Sequence, residues 1–267
     1  MLGSPIAHSK SPAIHQAAYR ELGLDWGYEA VEITGTTLAQ FVGSRDGSWR
    51  GLSLTMPLKR DVLPLLDSRD PLVDLVGGAN TVLITDTGLL GFNTDVYGVE
   101  RSFVEAGVVS LRSVHVIGAG ATAASVIAGV ARLGATAVSV SARTPSKAVP
   151  LVALGEQLGL SVAVLPWGAD VPRADAVVST LPGGDYGLEF PEALRRSSVL
   201  FDVAYDPWPS ALALQWADAG GAVIPGIELL LNQAVGQVRV FVGGDPDLPL
   251  ANEDSVVAAM RAAVWED

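Results

Sequence analysis

The chain has 267 residues, of which 49% are hydrophobic and 17% are charged, so it can bury the core of one large domain or two modest ones. Acidic residues outnumber basic residues by 29 to 17, and the net charge of −12 argues against a broad nucleic-acid-binding surface, which would be basic. There is no cysteine, which excludes disulfides, thiolate metal sites and cysteine nucleophiles.

The first part of the chain predicts an α/β unit. The stretch "SPAIHQAAYRELG" has the apolar spacing of a helix, with Ser11 as the predicted N-cap, Pro12 in the first turn and Gly23 just past the end. Apolar runs at about 28–33, 51–54 and 81–85 predict short strands.

Polar residues cluster in three places within this unit. In "GSPIAHSKSP", Ser9 and Ser11 lead into a helix start, where hydroxyl and free N–H groups can receive a carboxylate. In "SLTMPLKR", Lys59 follows a strand end and a proline turn. The Gly-rich turns "GGANTV" and "GFNTDVYG" carry four polar residues, Asn80, Asn93, Thr94 and Asp95.

A second unit begins near residue 113. The stretch "SVHVIGAGATAASVIAGVARLGA" predicts a buried strand, a glycine turn and an amphipathic helix that ends at Gly134. "AVSVSA", "SVAVLP", "ADAVVSTLP" and "SVLFDVAY" predict further strands, and "SKAVPLVALGEQLG" predicts a helical stretch interrupted by Pro150. Strands that alternate with helices predict a parallel, doubly wound sheet. The tail from Gly226 is helical in period.

The glycine turn of the second unit matches G-x-G-x-x-A through Gly118, Gly120 and Ala123. The first glycine permits a tight turn, the second lets the backbone approach a pyrophosphate, and the alanine allows close helix packing. Because the turn follows a strand and opens a helix, it predicts dinucleotide binding. The alternative is a glycine turn with a structural role only.

The end of the next strand indicates which dinucleotide is bound. NAD sites place an acid there, on the ribose 2′-hydroxyl, whereas this chain has Ala142 and Arg143. A guanidinium can bind a 2′-phosphate through two charge-assisted hydrogen bonds. Thr144 and Ser146 add hydroxyl donors and Lys147 adds a second positive charge. The prediction is NADP; the alternative is a solvated basic turn.

Together these motifs resemble those of the shikimate dehydrogenase family, from Leu2 to about Ala234. The family elements G-x-P-I-x-H-S-x-S-P-x-x-H, T-x-P-x-K, G-A-N-T and N-T-D-x-x-G are met at 3–15, 55–59, 78–81 and 93–98. "ARTPSK" corresponds to N-R-T-x-S-R, and "DVAYDP" and "GIELLLNQA" correspond to elements around a tyrosine and a glutamine.

The resemblance implies the NADPH-dependent, reversible reduction of 3-dehydroshikimate to shikimate, within chorismate and aromatic amino acid biosynthesis. It implies that Ser9 and Ser11 hold the substrate carboxylate and that Tyr205 lies near it. The ring hydroxyls would be bound by Thr55, Asn80, Asp95 and Gln233. Lys59 and Asp95, both also substrate-binding, would form the catalytic pair.

The cofactor positions that the resemblance implies are Gly118, Gly120, Ala121, Thr122, Ala123, Ala142, Arg143, Thr144, Lys147, Gly226 and Leu229. Ala142 replaces the family's usual asparagine and Lys147 its usual arginine. Lysine lacks the planar fork of arginine, which implies a looser grip on the 2′-phosphate. Leu229 stands where a methionine is common, a swap that nearly conserves volume.

The implied catalytic pair, Lys59 and Asp95, has the chemistry that the reduction of a ketone requires. Hydride transfer leaves negative charge on oxygen, which must be neutralised and protonated as it develops. The ammonium of Lys59 can donate to that oxygen, and Asp95 can hold the lysine and a neighbouring hydroxyl in place. The proton's route stays open. Three alternatives also stay open. Lys59 is then a solvated surface lysine, Asp95 is only the N-cap of a helix, and Gln233 is a polar residue without a role in binding.

The three histidines are interpreted as structural. His8 and His15 flank a helix start, a position typical of packing or hydrogen-bonding residues, and His115 lies inside an apolar strand. We therefore expect none of them to be the catalytic acid or base.

The predicted architecture has two α/β lobes. An N-terminal α/β substrate domain comprises 1–94 and 226–267, and a Rossmann-type doubly wound parallel-sheet NADP domain comprises 95–225, with the reaction expected in the cleft between them. We expect a small-molecule substrate, no metal, no nucleic acid and no membrane, and a cytoplasmic monomer or homodimer.

Two other functions remain open. The first is a quinate or aminoshikimate dehydrogenase on the same scaffold, against which the two serines and the basic turn favour shikimate with NADP. The second is a non-catalytic dinucleotide-binding sensor, for which neither Lys59 nor Asp95 would be needed.

Overall fold

Two separate groups of β-strands organise the computed structural model, which describes residues 1–265. The chain divides into one unit of Met1–Thr94 with Leu230–Asp267 and a second unit of Asp95–Leu229. The elements up to Thr94 are β1 (Leu2–Gly3), α1 (Ser11–Glu21), β2 (Val31–Glu32), α2 (Gly35–Gly43), β3 (Gly51–Ser53), α3 (Leu58–Asp61), β4 (Ser68–Arg69), α4 (Pro71–Val76), β5 (Thr81–Thr85) and β6 (Gly88–Phe92).

The later elements complete both units. They are α5 (Asp95–Glu105), β7 (Ser113–Ile117), α6 (Ala121–Arg132), β8 (Ala137–Ser141), α7 (Val149–Leu158), β9 (Ser161–Leu165), β10 (Ala176–Ser179), α8 (Glu192–Ser197), β11 (Val199–Asp202), α9 (Ala211–Asp218), β12 (Val223–Pro225), α10 (Gly226–Gly243) and α11 (Glu253–Trp265). Single 3₁₀ turns lie at Leu63–Leu65 and Pro145–Ala148. The boundary between the units falls within α10.

The first unit contains a four-stranded sheet in the order β3-β5-β6-β4, in which only β4 and β6 run parallel. β1 and β2 pair in parallel beside it, and Leu2 bridges to Leu54 just beyond β3. Leu2, Leu54 and Leu58 are fully buried in one core cluster with Leu38 of α2. This core holds the segment after β3, which carries the predicted catalytic lysine, against the N-terminal strand.

The second unit contains six strands, all parallel, in the order β12-β11-β10-β7-β8-β9. The central strands β10 and β7 are almost completely buried, as expected of a parallel sheet that helices cover on both faces. Trp216 of α9 is fully buried against this sheet in a cluster with Ile117 and Leu200. The parallel sheet predicted from the alternating pattern is confirmed.

Two local predictions are wrong. Ser11 is not the N-cap of α1 but its first residue, and Lys10 precedes it without a side-chain capping bond. Pro150 does not interrupt a helix, because α7 begins at Val149 and the proline occupies its first turn, where a missing N–H costs nothing.

Within residues 1–265, no helix combines the length and the hydropathy needed to span a membrane. In the same part of the chain, no group of three or more histidine and carboxylate side chains is arranged to hold a metal ion.

Close packing of α5 on α6 gives a stability test. A Cβ added at Gly129 would lie 2.8 Å from Val99 Cγ1 and 3.2 Å from the Val96 carbonyl oxygen. We expect Gly129→Ala to destabilise the unit by about 1–3 kcal/mol through overpacking, which outweighs the gain in helix propensity of about 1 kcal/mol. Urea and thermal unfolding measure the change.

Gly43 of α2 provides the matched control, because a Cβ there meets no atom within 4 Å. Gly43→Ala should leave the unfolding midpoint unchanged or slightly raised. Equal midpoints for Gly129→Ala and the wild type would contradict the packing argument.

Candidate active site

The N-terminal motif lies directly against the segment that carries Thr55. The Thr55 N–H donates to the Leu2 carbonyl at 2.9 Å, and the Ser4 N–H donates to the Met56 carbonyl at 3.1 Å. A Cβ on Gly3 would lie 2.3 Å from Thr55 Cγ2, so only glycine lets the two segments approach this closely.

The same segment is joined to the turn that carries Asn80. The Leu54 N–H donates to the Asn80 carbonyl at 2.7 Å, and the Ala79 N–H donates to the Lys59 carbonyl at 2.8 Å. Lys59 lies on the single turn α3, which opens with a hydrogen bond from the Leu58 N–H to the Thr55 carbonyl at 2.8 Å. Backbone groups thus fix the segment of Thr55 and Lys59 to Asn80, which is distant in sequence.

The Asn80 side chain is the centre of a buried polar network. It is 1% exposed, and its Oδ1 accepts hydrogen bonds from the Thr94 N–H at 2.9 Å and the Thr81 hydroxyl at 2.8 Å. Its Nδ2 donates to the Thr94 hydroxyl at 2.9 Å and to Gln233 Oε1 at 3.3 Å. Because a backbone N–H can only donate, Oδ1 must be the atom that faces Thr94 N.

Two neighbours extend this network. The Asn93 side chain donates to the Gly78 carbonyl at 2.8 Å, which joins the last motif to the G-A-N-T turn. Gln233 is buried, and its Nε2 donates to the Leu230 carbonyl at 2.8 Å. The structure therefore brings the predicted residues Asn80 and Gln233 together and gives the polarity of Gln233 a function in the network.

The two predicted carboxylate-binding serines also lie together. The Ser11 N–H donates to the Ser9 hydroxyl at 3.3 Å, while Ser11 Oγ is buried without a hydrogen-bond partner. A buried hydroxyl left unpaired costs about 1–3 kcal/mol, which an acceptor placed beside it would relieve. Ser11 is therefore suited to donate to a ligand oxygen such as that of a carboxylate.

His15 has a structural role, as interpreted from the sequence. Its Nδ1 lies 2.9 Å from the Ser11 carbonyl oxygen and therefore carries the proton, and its ring stacks on Tyr28 at 4.0 Å between centroids. Complete burial lowers the pKa of His15 to about 3, so the ring stays neutral. His115 is likewise buried in β7 with Nδ1 2.8 Å from the Ser139 hydroxyl, and burial lowers its pKa to about 4.

Asp95 belongs to the second unit, whereas Lys59 belongs to the first. It is the first residue of α5 and is buried.

The glycine turn after β7 has a backbone that only glycine can adopt and leads into an uncapped helix. Gly118 has a φ of +110°, and a Cβ there would lie 2.3 Å from Thr180 Oγ1, so both backbone angle and space demand glycine. A Cβ on Gly120 would meet no atom within 4 Å, which leaves open space at the start of α6. No side chain caps this helix, so its first-turn N–H groups are available to phosphate oxygens.

The basic turn lies next to the glycine turn. The Gly118 N–H donates to the carbonyl of Ser141, the last residue of β8, at 2.8 Å. Ala142 follows and is buried, whereas the next basic and hydroxyl side chains, Arg143, Thr144 and Lys147, are exposed. The Arg143 guanidinium carbon lies 5.5 Å from the ring centroid of Tyr186. This arrangement fits a 2′-phosphate beside the glycine turn.

The remaining predicted cofactor residues lie at the start of α10. A Cβ on Gly226 would lie 2.2 Å from the Val203 carbonyl oxygen, so close backbone approach alone explains this glycine. Leu229 is buried one turn later.

The predicted substrate residue Tyr205 precedes this helix, and burial together with the neighbouring Asp206 raises its pKa, so it keeps its phenolic proton.

Three residues behind the network were not predicted from the sequence. Ser53 and Thr81 are register partners on β3 and β5, and Gln237 of α10 contacts both. The sequence feature that could have indicated Gln237 is its spacing, because it follows Gln233 by about one helical turn and so lies on the same face of α10.

The comparisons with known proteins agree with this geometry. Residues 1–82 match the family model described as the shikimate dehydrogenase substrate binding domain. The shikimate dehydrogenase (NADP(+)) of Rubrobacter xylanophilus is 36% identical over an alignment of 277 positions, which covers 99% of this chain and 94% of that protein. This chain belongs to the shikimate dehydrogenase family.

Solved structures of the family share the fold. The shikimate dehydrogenase of Mycobacterium tuberculosis is 39% identical with a TM-score of 0.84, over 98% of this chain and 97% of that chain. The shikimate 5-dehydrogenase of Thermus thermophilus, solved in complex with NADP(H) and shikimate, is 30% identical with a TM-score of 0.81, over 98% and 97%. The predicted family and the predicted fold, an α/β substrate domain plus a Rossmann-type domain, are confirmed.

The buried His15 makes stability depend on pH. Its pKa falls from 6.5 to about 3 on folding, so the unfolded chain binds a proton first as pH decreases. The contribution of neutral His15 to folding stability is fully present above pH 6.5 and is lost as pH falls toward 3. The free energy of unfolding should therefore decrease by about 2–3 kcal/mol less between pH 7 and pH 4.5 in His15→Phe, which keeps a ring against Tyr28, than in the wild type.

Urea unfolding of both proteins across this range measures the difference. His115→Phe provides a second histidine removal in the other unit; because the folded pKa of His115 is about 4, its expected effect between pH 7 and pH 4.5 is of similar size, and the two variants separate only below that range. Identical pH profiles for His15→Phe and the wild type would show that His15 is protonated equally well in the folded state.

Proposed function

We propose that this chain catalyses the NADPH-dependent, reversible reduction of 3-dehydroshikimate to shikimate. The observation that carries the proposal is that hydrogen bonds join the four N-terminal motifs: backbone bonds link the first three, and the buried Asn80 carboxamide links the third to the Thr94 turn. Two of the relatives support it: the Rubrobacter xylanophilus protein is named shikimate dehydrogenase (NADP(+)), and the Thermus thermophilus enzyme was solved with NADP(H) and shikimate.

The substrate is a ring that carries a carboxylate and hydroxyl groups, and the residues of the first unit suit both. Ser9 and Ser11 hydroxyls donate to the carboxylate, and the missing partner of Ser11 Oγ supports this assignment. The ring hydroxyls are assigned to Thr55, Asn80, Asp95 and Gln233. Tyr205, protonated, is assigned as a further donor near the carboxylate.

NADPH, when bound, supplies the hydride. The ammonium of Lys59 is assigned to stabilise the negative charge that develops on the carbonyl oxygen, and the pair Lys59 and Asp95 is assigned to supply the proton to that oxygen. Asp95 orients the lysine and accepts a hydrogen bond from the neighbouring substrate hydroxyl. In the reverse direction the same pair removes the proton from the alcohol.

The second unit is assigned to NADP. The pyrophosphate is assigned to the turn and first helical residues, Gly118, Gly120, Ala121, Thr122 and Ala123. The 2′-phosphate is assigned to the basic turn, Ala142, Arg143, Thr144 and Lys147. Gly226 and Leu229 are assigned to the nicotinamide end.

We infer a cytoplasmic monomer or homodimer that does not bind nucleic acid. The acidic balance of 29 to 17 supports the last point, since a polyanion would be repelled.

The direct test follows NADP+ reduction by shikimate at 340 nm, in parallel with quinate and with NAD+. We expect shikimate with NADP+ to give the highest kcat/KM. A higher kcat/KM for quinate with NAD+ would favour the quinate alternative, and NADP+ binding without turnover of any of these alcohols would favour the sensor.

Lys59→Ala tests the catalytic assignment. Loss of the group that neutralises the oxygen should lower kcat by about 10²–10⁴-fold while the Kd for NADP+ stays nearly unchanged. Arg60→Ala, which removes the exposed neighbouring charge, is the matched control and should keep kcat. Equal loss of turnover and NADP+ binding in Lys59→Ala would contradict the assigned role.

Arg143→Ala tests the cofactor assignment. Loss of a charge-assisted contact to the 2′-phosphate should raise the KM for NADP+ by about 10–100-fold and leave the KM for NAD+ nearly unchanged. Arg173→Ala removes another exposed positive charge of the same unit and should alter neither KM. A parallel rise for both cofactors in Arg143→Ala would show that the 2′-phosphate lies elsewhere.

A further inference from the structure

We propose that Gln237 is a positioning residue of the substrate site, which fixes the orientation of the Asn80 carboxamide and through it the Asn80–Gln233 pair. The inference rests on the proposed function only in taking shikimate as the molecule that this pair binds. Gln237 is placed behind the pair and acts through Thr81.

The Gln237 carboxamide is held in one orientation by three hydrogen bonds. It is 2% exposed, and its Nε2 donates to the Asn80 carbonyl at 3.1 Å and to the Thr81 hydroxyl oxygen at 3.2 Å. Its Oε1 accepts from the Ser53 hydroxyl at 3.0 Å. Because a backbone carbonyl can only accept, the amide nitrogen must face β5.

This orientation decides the direction of the next hydrogen bond. Thr81 has a single hydroxyl proton, and its oxygen already accepts from Gln237. The proton therefore points to Asn80 Oδ1, 2.8 Å away. Without the Gln237 donor, the Thr81 hydroxyl is free to turn, and only the Thr94 groups still fix the Asn80 oxygen.

The orientation of the Asn80 carboxamide in turn affects Gln233, the other amide residue assigned to the ring hydroxyls. With Oδ1 held against Thr81 and Thr94, the Asn80 nitrogen is directed toward Gln233 Oε1 at 3.3 Å. Gln233 is fixed in turn by its own bond to the Leu230 carbonyl. A substrate hydroxyl thus meets amide groups of defined polarity, and the chain Ser53–Gln237–Thr81–Asn80–Gln233 has one donor direction throughout.

A structural role for Gln237 alone makes a different prediction. A buried carboxamide that only holds α10 against the sheet would contribute to stability but not to the affinity for one substrate. A positioning residue changes the KM for shikimate selectively, because Gly226 and Leu229 lie two or more turns before Gln237 on α10 and the other assigned cofactor residues lie on other elements. The two roles are therefore separated by the KM values of the two substrates.

The experiment compares Gln237→Met, which keeps the approximate volume, with Thr81→Val, which removes only the relaying hydroxyl. Both should raise the KM for shikimate by about three- to tenfold, the effect of one buried hydrogen bond, with the KM for NADP+ unchanged. The double variant should show no more than the larger single effect, because both remove the same chain. Val238→Ala, a fully buried apolar neighbour on α10, should lower the melting temperature but keep both KM values.

A second readout does not need turnover. The Asn80 side-chain amide protons, followed by NMR hydrogen exchange, should exchange faster in Gln237→Met and Thr81→Val than in Val238→Ala. A wild type without shikimate turnover would refute the proposed function while this readout still tests the positioning. Unchanged KM for shikimate with unchanged exchange, or an equal rise in both KM values, would overturn the positioning role.

Discussion

The first unit depends on one buried residue, Asn80, whose backbone and side chain both hold separate segments together. Its N–H donates to the Phe92 carbonyl at 3.1 Å, and its carbonyl accepts from Leu54 and Gln237. Its side chain orders the Thr94 turn and meets Gln233. An apolar residue here would leave several buried groups unpaired, at about 1–3 kcal/mol each. The same residue therefore sets both the packing of the unit and the polarity of the proposed substrate site.

Much of the fold could be predicted because long apolar patterns specify their own structure. β5 and β7 have the predicted bounds, since continuous apolar runs between turns predict buried strands. The prediction of β2 was too long, because only Val31–Glu32 pair with β1. Short elements such as α3 and β4 carry too few residues for a period, and tertiary packing stabilises them instead.

The site was predictable only where a motif or a resemblance marked it. Asn80 and Gln233 were expected to share a substrate, and the structure places their side chains in contact. Ser53 and Gln237 were missed because each is an ordinary polar residue in its own segment, and Thr81 was marked only as the last residue of G-A-N-T, without a role of its own. Their relation exists only through the β3–β5 register and one turn of α10, neither of which a local pattern records.

Equilibrium binding of shikimate tests the central role of Asn80 most directly. Titration calorimetry of the wild type and Asn80→Asp tests the Nδ2 donor: aspartate keeps an oxygen for Thr81 and Thr94, but it replaces the donor by an acceptor and adds a buried negative charge. The expected result is a Kd for shikimate about tenfold or more higher in the variant, with the Kd for NADP+ unchanged. An equal Kd for shikimate in both proteins would contradict the account, since the carboxamide would then serve the fold and not the ligand.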